Sequence, residues 1–323
     1  MKVTILTITY NREHLLPRTV DSVLSQTFTD FEYLIINNGS TDGTQALIDQ
    51  YCKRDNRIRI FSFIQNRTNI EFYHAKYQIA TENQMIPYCM IIDDDDYMES
   101  NTVETLYNLI TNYDADVASV GSMYVFPDGT KKDKFVFDGI YLYNRNEAMI
   151  EILKREKFNV SLGGKLFRKE ILKDIIPPQV EQIRDIHVGY RRMNKVQKMV
   201  VIGKPLYYFY RHGSNVSGLE AVSQITPEKI QQHLEANAIR TEWLTEHMPE
   251  IKDFAFYCEL SFMISLYERI YRLDVQSCFS IAQQMKDTLA RNSIFLSKCG
   301  FYSEKEKEIL KSMINLTDTG RKL

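Results

Sequence analysis

The chain has 323 residues, 44% hydrophobic and 25% charged, with 40 Lys and Arg against 42 Asp and Glu and a formal net charge of −2. That length suits one large domain with an extension, or two domains, and the composition excludes wholesale disorder. Near-balanced charge excludes the domain-wide basic field of a general nucleic-acid binder.

The N-terminal segment Met1 to Glu13 carries one lysine and a short apolar run before turning polar, so it reads as a strand, not a signal peptide. Val3 to Thr9 is the first β-rich run, and the apolar spacing of Leu15, Leu16, Val20, Val23 and Leu24 predicts a helix to Ser25. Phe31 to Asn37 reads as a second strand. The turn Gly39-Ser40-Thr41-Asp42-Gly43 then caps a helix over Thr44 to Lys53. A third strand is expected over Arg57 to Ile64, a helix over Ile70 to Ala80 and a fourth strand over Cys89 to Ile92. A helix from Asn101 to Asn112 and a fifth strand from Asp116 to Ser122 complete the alternation. Near-continuous apolar strands separated by helices predict a parallel sheet covered on both faces.

Beyond Ser122 a hairpin is expected around Pro127-Asp128-Gly129, then a helix over Asn144 to Glu156, with strand-like pieces over Asn159 to Arg168 and Met199 to Tyr210. After Gly218 only two glycines and two prolines remain, and helical apolar spacing dominates. The expected organisation is an α/β catalytic domain over 1–220 and an α-helical region over 221–323. The stripe Phe254, Cys258, Phe262 and Leu266 reads first as core, with an oligomer or membrane-surface contact as the alternative. Glu259, Glu268 and Arg269 interrupt that region, so it is not a membrane span. Five dispersed cysteines without CxxC spacing argue against a disulfide framework or zinc site and for a reducing, cytoplasmic setting. The five Asn-x-Ser/Thr triplets, without an export signal, read as chance.

Four adjacent carboxylates, Asp93 to Asp96, follow the fourth strand. Such a run is tolerated when solvated or neutralised by a cation, and an acidic surface loop is the plain reading. Its place at the carboxyl end of a buried strand, where open α/β sheets bind ligands, favours a hard divalent ion shared with a diphosphate. Strand one ends in Thr9-Tyr10-Asn11 and strand two in Asn37-Asn38-Gly39-Ser40. Tyr10 offers a ring for a base, and the asparagines offer amides or serve only as turn residues. Neither GxGxxG nor GxxxxGK[ST] occurs.

The run TILTITYNREHLLPRTVDSVLSQTFTDFEYLIINNGSTDGT together with Asp93 to Asp96 resembles the family 2 glycosyltransferases of the GT-A fold. The segment Ser22 to Phe31 is especially similar to bacterial cell-surface members, and the resemblance covers roughly residues 1–217. Gly164 to Leu172 and Pro205 to Ser214 match later family segments. The resemblance implies a GT-A sheet, with nucleotide-sugar binding over 1–120 and the acceptor side over 121–220. It implies that Ile8 and Tyr10 hold the nucleoside and that Asn38 stands where the family usually reads uracil. Asp93 and Asp94 would contact the nucleotide sugar, and Asp95 would hold Mn²⁺ or Mg²⁺ with His212 as a further ligand. Lys76, Arg211 and Ser214 would approach the diphosphate, Asp96 and Lys165 would support, and Asp185 would be the general base. Asn37-Asn38 replaces the usual Asp-Asp, Asn69 stands near a usual glycine, and Arg184 replaces a usual glutamate.

The implied activity is inverting, metal-dependent transfer of a hexose or N-acetylhexosamine from a nucleotide sugar, UDP-linked first, to a hydroxyl of a cell-surface glycan or its lipid-linked precursor. Implied partners are the donor, the acceptor and, through the helical region, another copy of the chain or the inner membrane face. Two other readings stay open at this point: a catalytically silent partner or scaffold, and a sugar nucleotidyltransferase.

Overall fold

The computed structural model describes residues 1–67, 70–173, 184–212 and 225–315; within these, the side chains of residues 70, 71, 73, 74, 184, 185, 314 and 315 lie outside the description. The chain divides into two compact units, Met1–Ser214 and Asn215–Leu323.

The first unit is a mixed α/β structure around a ten-stranded sheet. Its strands are β1 (Val3–Thr9), β2 (Phe31–Asn37), β3 (Ile58–Ser62), β4 (Tyr88–Ile91), β5 (Tyr97–Met98), β6 (Val117–Val125), β7 (Lys131–Phe135), β8 (Ile140–Asn144), β9 (Lys165–Arg168) and β10 (Lys198–Tyr210). The main order is β3-β2-β1-β4-β9-β6-β10-β5, with β7 added to β6 and β8 to β10. The block β3-β2-β1-β4 is parallel, and so is the long β6–β10 pair. β9, running antiparallel to both β4 and β6, joins these blocks. The sheet is mostly parallel and mixed, and helices pack against it.

The helices are α1 (Leu16–Leu24), α2 (Thr44–Arg54), α3 (Ile70–Thr81), α4 (Thr102–Asn112), α5 (Arg145–Lys154), α6 (Lys169–Leu172) and α7 (Arg184–Met193). β1 and β2 are buried along almost their whole length, as strands covered on both faces must be. Val3, Ile5, Tyr33 and Ile35 pack with Leu16, Val20 and Val23 of α1, Ile48 of α2 and Val103, Leu106 and Ile110 of α4 in one continuous core. A two-sided capping box at Asn144 and Glu147 starts α5. The expected strand over Asn159 to Arg168 is shorter than its apolar pattern suggests. Asn159 accepts from the Ser161 amide and Gly164 has φ +72°, so the chain turns before β9 begins at Lys165.

The second unit contains α8 (Pro227–His247), α9 (Lys252–Arg272), α10 (Phe279–Arg291), α11 (Ser293–Lys298) and α12 (Glu304–Asn315). The central α9 packs against α8, α10 and α12. Phe254 and Leu266 are buried, but so are Leu260, Met263, Ile264, Tyr267 and Ile270, while Cys258 and Phe262 are half-buried. Burial thus runs round more of the helix than the expected stripe, because α9 has neighbours on several sides. No helix among the described residues is long and apolar enough to cross a membrane.

Gly39, after β2, shows how tightly the loops at this end of the sheet approach each other. It has φ +76°, and a Cβ there would overlap the Gln65 carbonyl carbon and the Asn66 nitrogen. Gly39→Ala therefore lowers the stability of the first unit by at least about 1–3 kcal/mol, measured by urea unfolding followed by circular dichroism.

Candidate active site at the acidic turn

β4 ends at Ile91, and the Ile92 amide still bonds the Leu6 carbonyl of β1. The chain then turns, with the Asp96 amide donating to the Asp93 carbonyl at 3.2 Å. The four carboxylates lie in different surroundings. Asp93 is exposed, Asp94 and Asp95 are partly covered, and Asp96 is buried at 3% exposure.

Asp96 pins the turn to the sheet. Tyr207 Oη donates to its Oδ2 at 2.8 Å, and the Tyr210 backbone N–H donates to Oδ1 at 3.0 Å. Its carbonyl accepts from Thr19 Oγ1 on α1 at 2.7 Å. Burial first, then the charges of Asp93 and Asp95, holds this carboxyl well above the usual carboxylate range. Next in line, Arg18 donates to the Asp95 carbonyl at 2.7 Å, with its guanidinium 3.9 Å from the Tyr210 ring centroid and 4.8 Å from that of Tyr97.

With the backbone so fixed, Asp95 meets His212, whose Nε2 lies 2.9 Å from Asp95 Oδ2. His212 follows β10 and arrives because Tyr210 is tied to Asp96. Asp94 is pushed up to about 6, mainly by burial and with Asp95 adding to it, while Arg12 at 3.6 Å works in the opposite direction. Among the described residues no group of three or more His, Cys, Asp or Glu forms a complete metal cage. The carboxylate suits Mn²⁺ or Mg²⁺, and the imidazole beside it suits the transition ion Mn²⁺ better than Mg²⁺; either ion can complete its shell with phosphate oxygens and water.

On the β1–β2 side, Tyr10 is 39% exposed and Ile8 half-buried. Asn11, which follows Tyr10, has φ +53°; its Oδ1 accepts from the Thr41 N–H and its own N–H donates to Ser40 Oγ. These bonds lock the loop after β1 to the loop after β2. Asn38 is buried, and its side chain bonds Asn66 Oδ1 at 2.7 Å, the Arg67 carbonyl at 2.9 Å and the Arg67 N–H at 3.1 Å. Its amide thus clasps the chain after β3. Lys76 is half-buried on α3, 5.0 Å from the Tyr77 ring.

On the β6–β10 side, Lys165 is buried and donates to the Ser161 carbonyl at 2.6 Å. Burial, with Arg192 nearby, pushes its amine down to about 7. Arg211 lies over the Tyr124 ring at 4.5 Å. The structure therefore brings Asp93 to Asp96, Arg211 and His212 to one edge, with Tyr10 and Asn38 at the ends of neighbouring strands. Asp185 lies in the first turn of α7, with its side chain outside the description, as is that of Arg184. Ser214 and Asn69 also lie outside the described residues. Sequence reasoning gave no role to Arg18, Asn11 and Tyr207, which shape the site, or to Lys134 of β7, whose amine lies within electrostatic reach of Asp96 and Asp93. The signal for Lys134 was thin: a lysine on a short polar strand.

A family model described as glycosyl transferase family 2 matches residues 4–176, more than half of the chain. The chain belongs to that family. Glycosyltransferase GlyA of Streptococcus pneumoniae is 27% identical over 225 residues, which is 66% of this chain and 31% of GlyA. Glycosyltransferase GlyG of the same organism is 26% identical over 65% of this chain and 71% of its own length. The teichoic acid poly(glycerol phosphate) polymerase of Staphylococcus epidermidis is 34% identical over 53% of this chain and 23% of that protein. This family 2 chain thus spans less than a third of GlyA and of the polymerase. Among solved structures, S. aureus TarS 1-349 in complex with UDP-GlcNAc matches with a TM-score of 0.66 and 16% identity, covering 99% of this chain and 93% of that one. A Pyrobaculum calidifontis mannosyltransferase in complex with GDP-Man and Mn²⁺ matches with a TM-score of 0.53 and 13% identity, over 98% and 80%. These likenesses establish the GT-A fold.

The buried amine of Lys165 makes a prediction about stability. Its folded value near 7 lies below the ordinary 10.5, so above pH 7 the unfolded chain holds a proton that the folded chain has released. Stability therefore rises with pH between 7.5 and 9, at about 1.4 kcal/mol per pH unit from this residue. Urea unfolding at several pH values is expected to show a slope in the wild type that exceeds the slope in Lys165→Met by about that amount.

Proposed function

We propose that this chain is a metal-dependent, inverting glycosyltransferase. It moves a hexose or N-acetylhexosamine from a UDP sugar to a hydroxyl of a cell-surface glycan or its lipid-linked precursor. The observation carrying this reading is the Asp95–His212 pair at 2.9 Å on a turn held by buried Asp96, at the carboxyl end of β4. The relatives' names, among them a teichoic acid polymerase and a poly(ribitol-phosphate) β-glucosyltransferase, support a cell-surface acceptor. The UDP-GlcNAc held by TarS supports the nucleotide.

We assign the nucleoside face to Ile8, Tyr10 and Asn38, the last acting through the Asn66–Arg67 segment that it clasps. Asp93 and Asp94 face the nucleotide sugar, and Lys76, Arg211 and Ser214 approach the diphosphate. Asp95 and His212 would hold Mn²⁺ or Mg²⁺, which when bound supplies Lewis-acid stabilisation of the departing diphosphate. Asp185 takes the proton from the acceptor hydroxyl as it attacks the anomeric carbon, while the C–O bond to the diphosphate breaks on the opposite face. Asp96 and Lys165 hold the carboxylates and β9 in place. Much of the rate arises from keeping the two substrates in line.

A panel of UDP-hexoses and UDP-N-acetylhexosamines, assayed with Mn²⁺ and followed by NMR, tests the reading. The wild type is expected to release UDP from at least one donor and to invert the anomeric configuration, and chelation or Asp95→Ala is expected to remove most turnover. Asp185→Ala should lower kcat by roughly 10²–10⁴-fold with donor affinity preserved. Near-normal turnover in Asp185→Ala overturns the base assignment, and metal-independent turnover overturns the role of Asp95.

A further inference from the structure

Lys134 on β7 occupies an expensive position. Its Nζ lies 3.3 Å from the Phe209 ring centroid, 5.0 Å from that of Tyr124 and 5.2 Å from that of Phe135. Aromatic faces attract an ammonium but accept none of its three N–H groups in a full hydrogen bond. No hydrogen bond or ion pair to this amine is found among the described residues. Two further cations stand close, Lys165 and Arg211, and Arg211 shares the Tyr124 ring at 4.5 Å. Burial first, then those two charges, pushes the Lys134 amine down to about 7, against the pull of Asp96 and Asp93.

A plain surface lysine would swing into water and keep its full charge. This half-buried side chain instead places its amine among three rings, within electrostatic reach of Asp93, Asp96 and Arg211. Tyr124, Phe209 and Arg211 are all only half-buried, so the position remains open to a ligand. An amine without an acceptor among the described residues, with two further basic side chains near it, fits an anion, and the compact charge of an ammonium suits a phosphate oxygen.

We propose that Lys134 is a phosphate-binding residue of this site: its ammonium, held on Tyr124 and Phe209 beside Arg211, takes up a phosphate oxyanion brought by one of the two substrates. The inference rests on the glycosyl-transfer reading for the substrates' identity, but not for the chemistry of the subsite. The phosphate belongs either to the leaving nucleoside diphosphate or to a phosphate-bearing acceptor, and both present the same oxygen to the amine.

Calorimetry on the full chain with Mn²⁺ separates the two sources, using UDP, uridine and inorganic phosphate as probes. Lys134→Met keeps an unbranched chain against the rings, and Lys134→Arg keeps the charge. If the phosphate is the donor's, Lys134→Met weakens UDP at least about tenfold, leaves uridine unchanged, and Lys134→Arg stays near wild type. If it is the acceptor's, UDP affinity holds, while inorganic phosphate binds the UDP-saturated wild type and loses at least about tenfold in Lys134→Met. Unchanged affinity for both UDP and phosphate, with only the melting temperature moved, shows a mere aromatic prop and overturns the proposal. A wild type that binds no UDP refutes the UDP-donor reading instead, and inorganic phosphate titrated with Mn²⁺ alone into the wild type and Lys134→Met then decides Lys134: a loss of at least about tenfold supports it and equal affinity overturns it.

Discussion

The site is organised by one buried carboxylate. Asp96 accepts from the Tyr207 hydroxyl and the Tyr210 backbone on β10, and its carbonyl accepts from Thr19 on α1. Burial favours the neutral form of this carboxyl, and a buried polar group stripped of its partners costs about 1–3 kcal/mol in either form. The turn therefore has one arrangement, with Asp96 inward and Asp95 toward His212. Arg18, sandwiched by Tyr97 and Tyr210, reinforces it from the helix side. Because the same strand carries Tyr207, Tyr210 and, just beyond, His212, fixing Asp96 also fixes the histidine.

The two blocks of the sheet supply different chemistry to this turn. The parallel block β3-β2-β1-β4 ends in loops stitched together by Asn11, Asn38 and Gly39, the edge to which the nucleoside is assigned in the proposed function. The β6–β10 block, joined through β9, brings cations: Lys134, Lys165 and Arg211. Carboxylates and basic side chains thus meet at one edge of the sheet, the arrangement on which the proposed diphosphate site rests. Burial drives the amines of Lys134 and Lys165 toward neutrality.

The parallel block was legible because Val3–Thr9 and Phe31–Asn37 are runs rich in β-branched, aromatic and apolar residues between helical periods, and the structure places strands over the same spans. Two-residue β5 left no pattern to read, since Tyr97 and Met98 pair with β10 only through tertiary position. β8 carries Ile140, Tyr141 and Leu142 exposed at a sheet edge, and no burial alternation announced it. At the site, the acidic run was visible by charge alone, whereas the meeting of Asp95 with a histidine 117 residues away came only through family resemblance. Which aspartate points inward was not legible: that choice depends on the Tyr207 hydroxyl, which no local pattern connects to the turn. Lys134 looked like one more lysine in a polar strand because the rings of Tyr124 and Phe209 that receive it lie on other strands.

The central claim is that the turn presents Asp95 and His212 jointly to a divalent ion shared with the nucleoside diphosphate. Pulsed electron paramagnetic resonance of Mn²⁺ bound to the wild-type chain with UDP reads this directly. The account predicts both a nitrogen coupling, lost in His212→Ala, and a phosphorus coupling from UDP, with Asp95→Ala abolishing the bound signal. Bound Mn²⁺ whose spectrum shows no nitrogen coupling, or which survives Asp95→Ala unchanged, would contradict it.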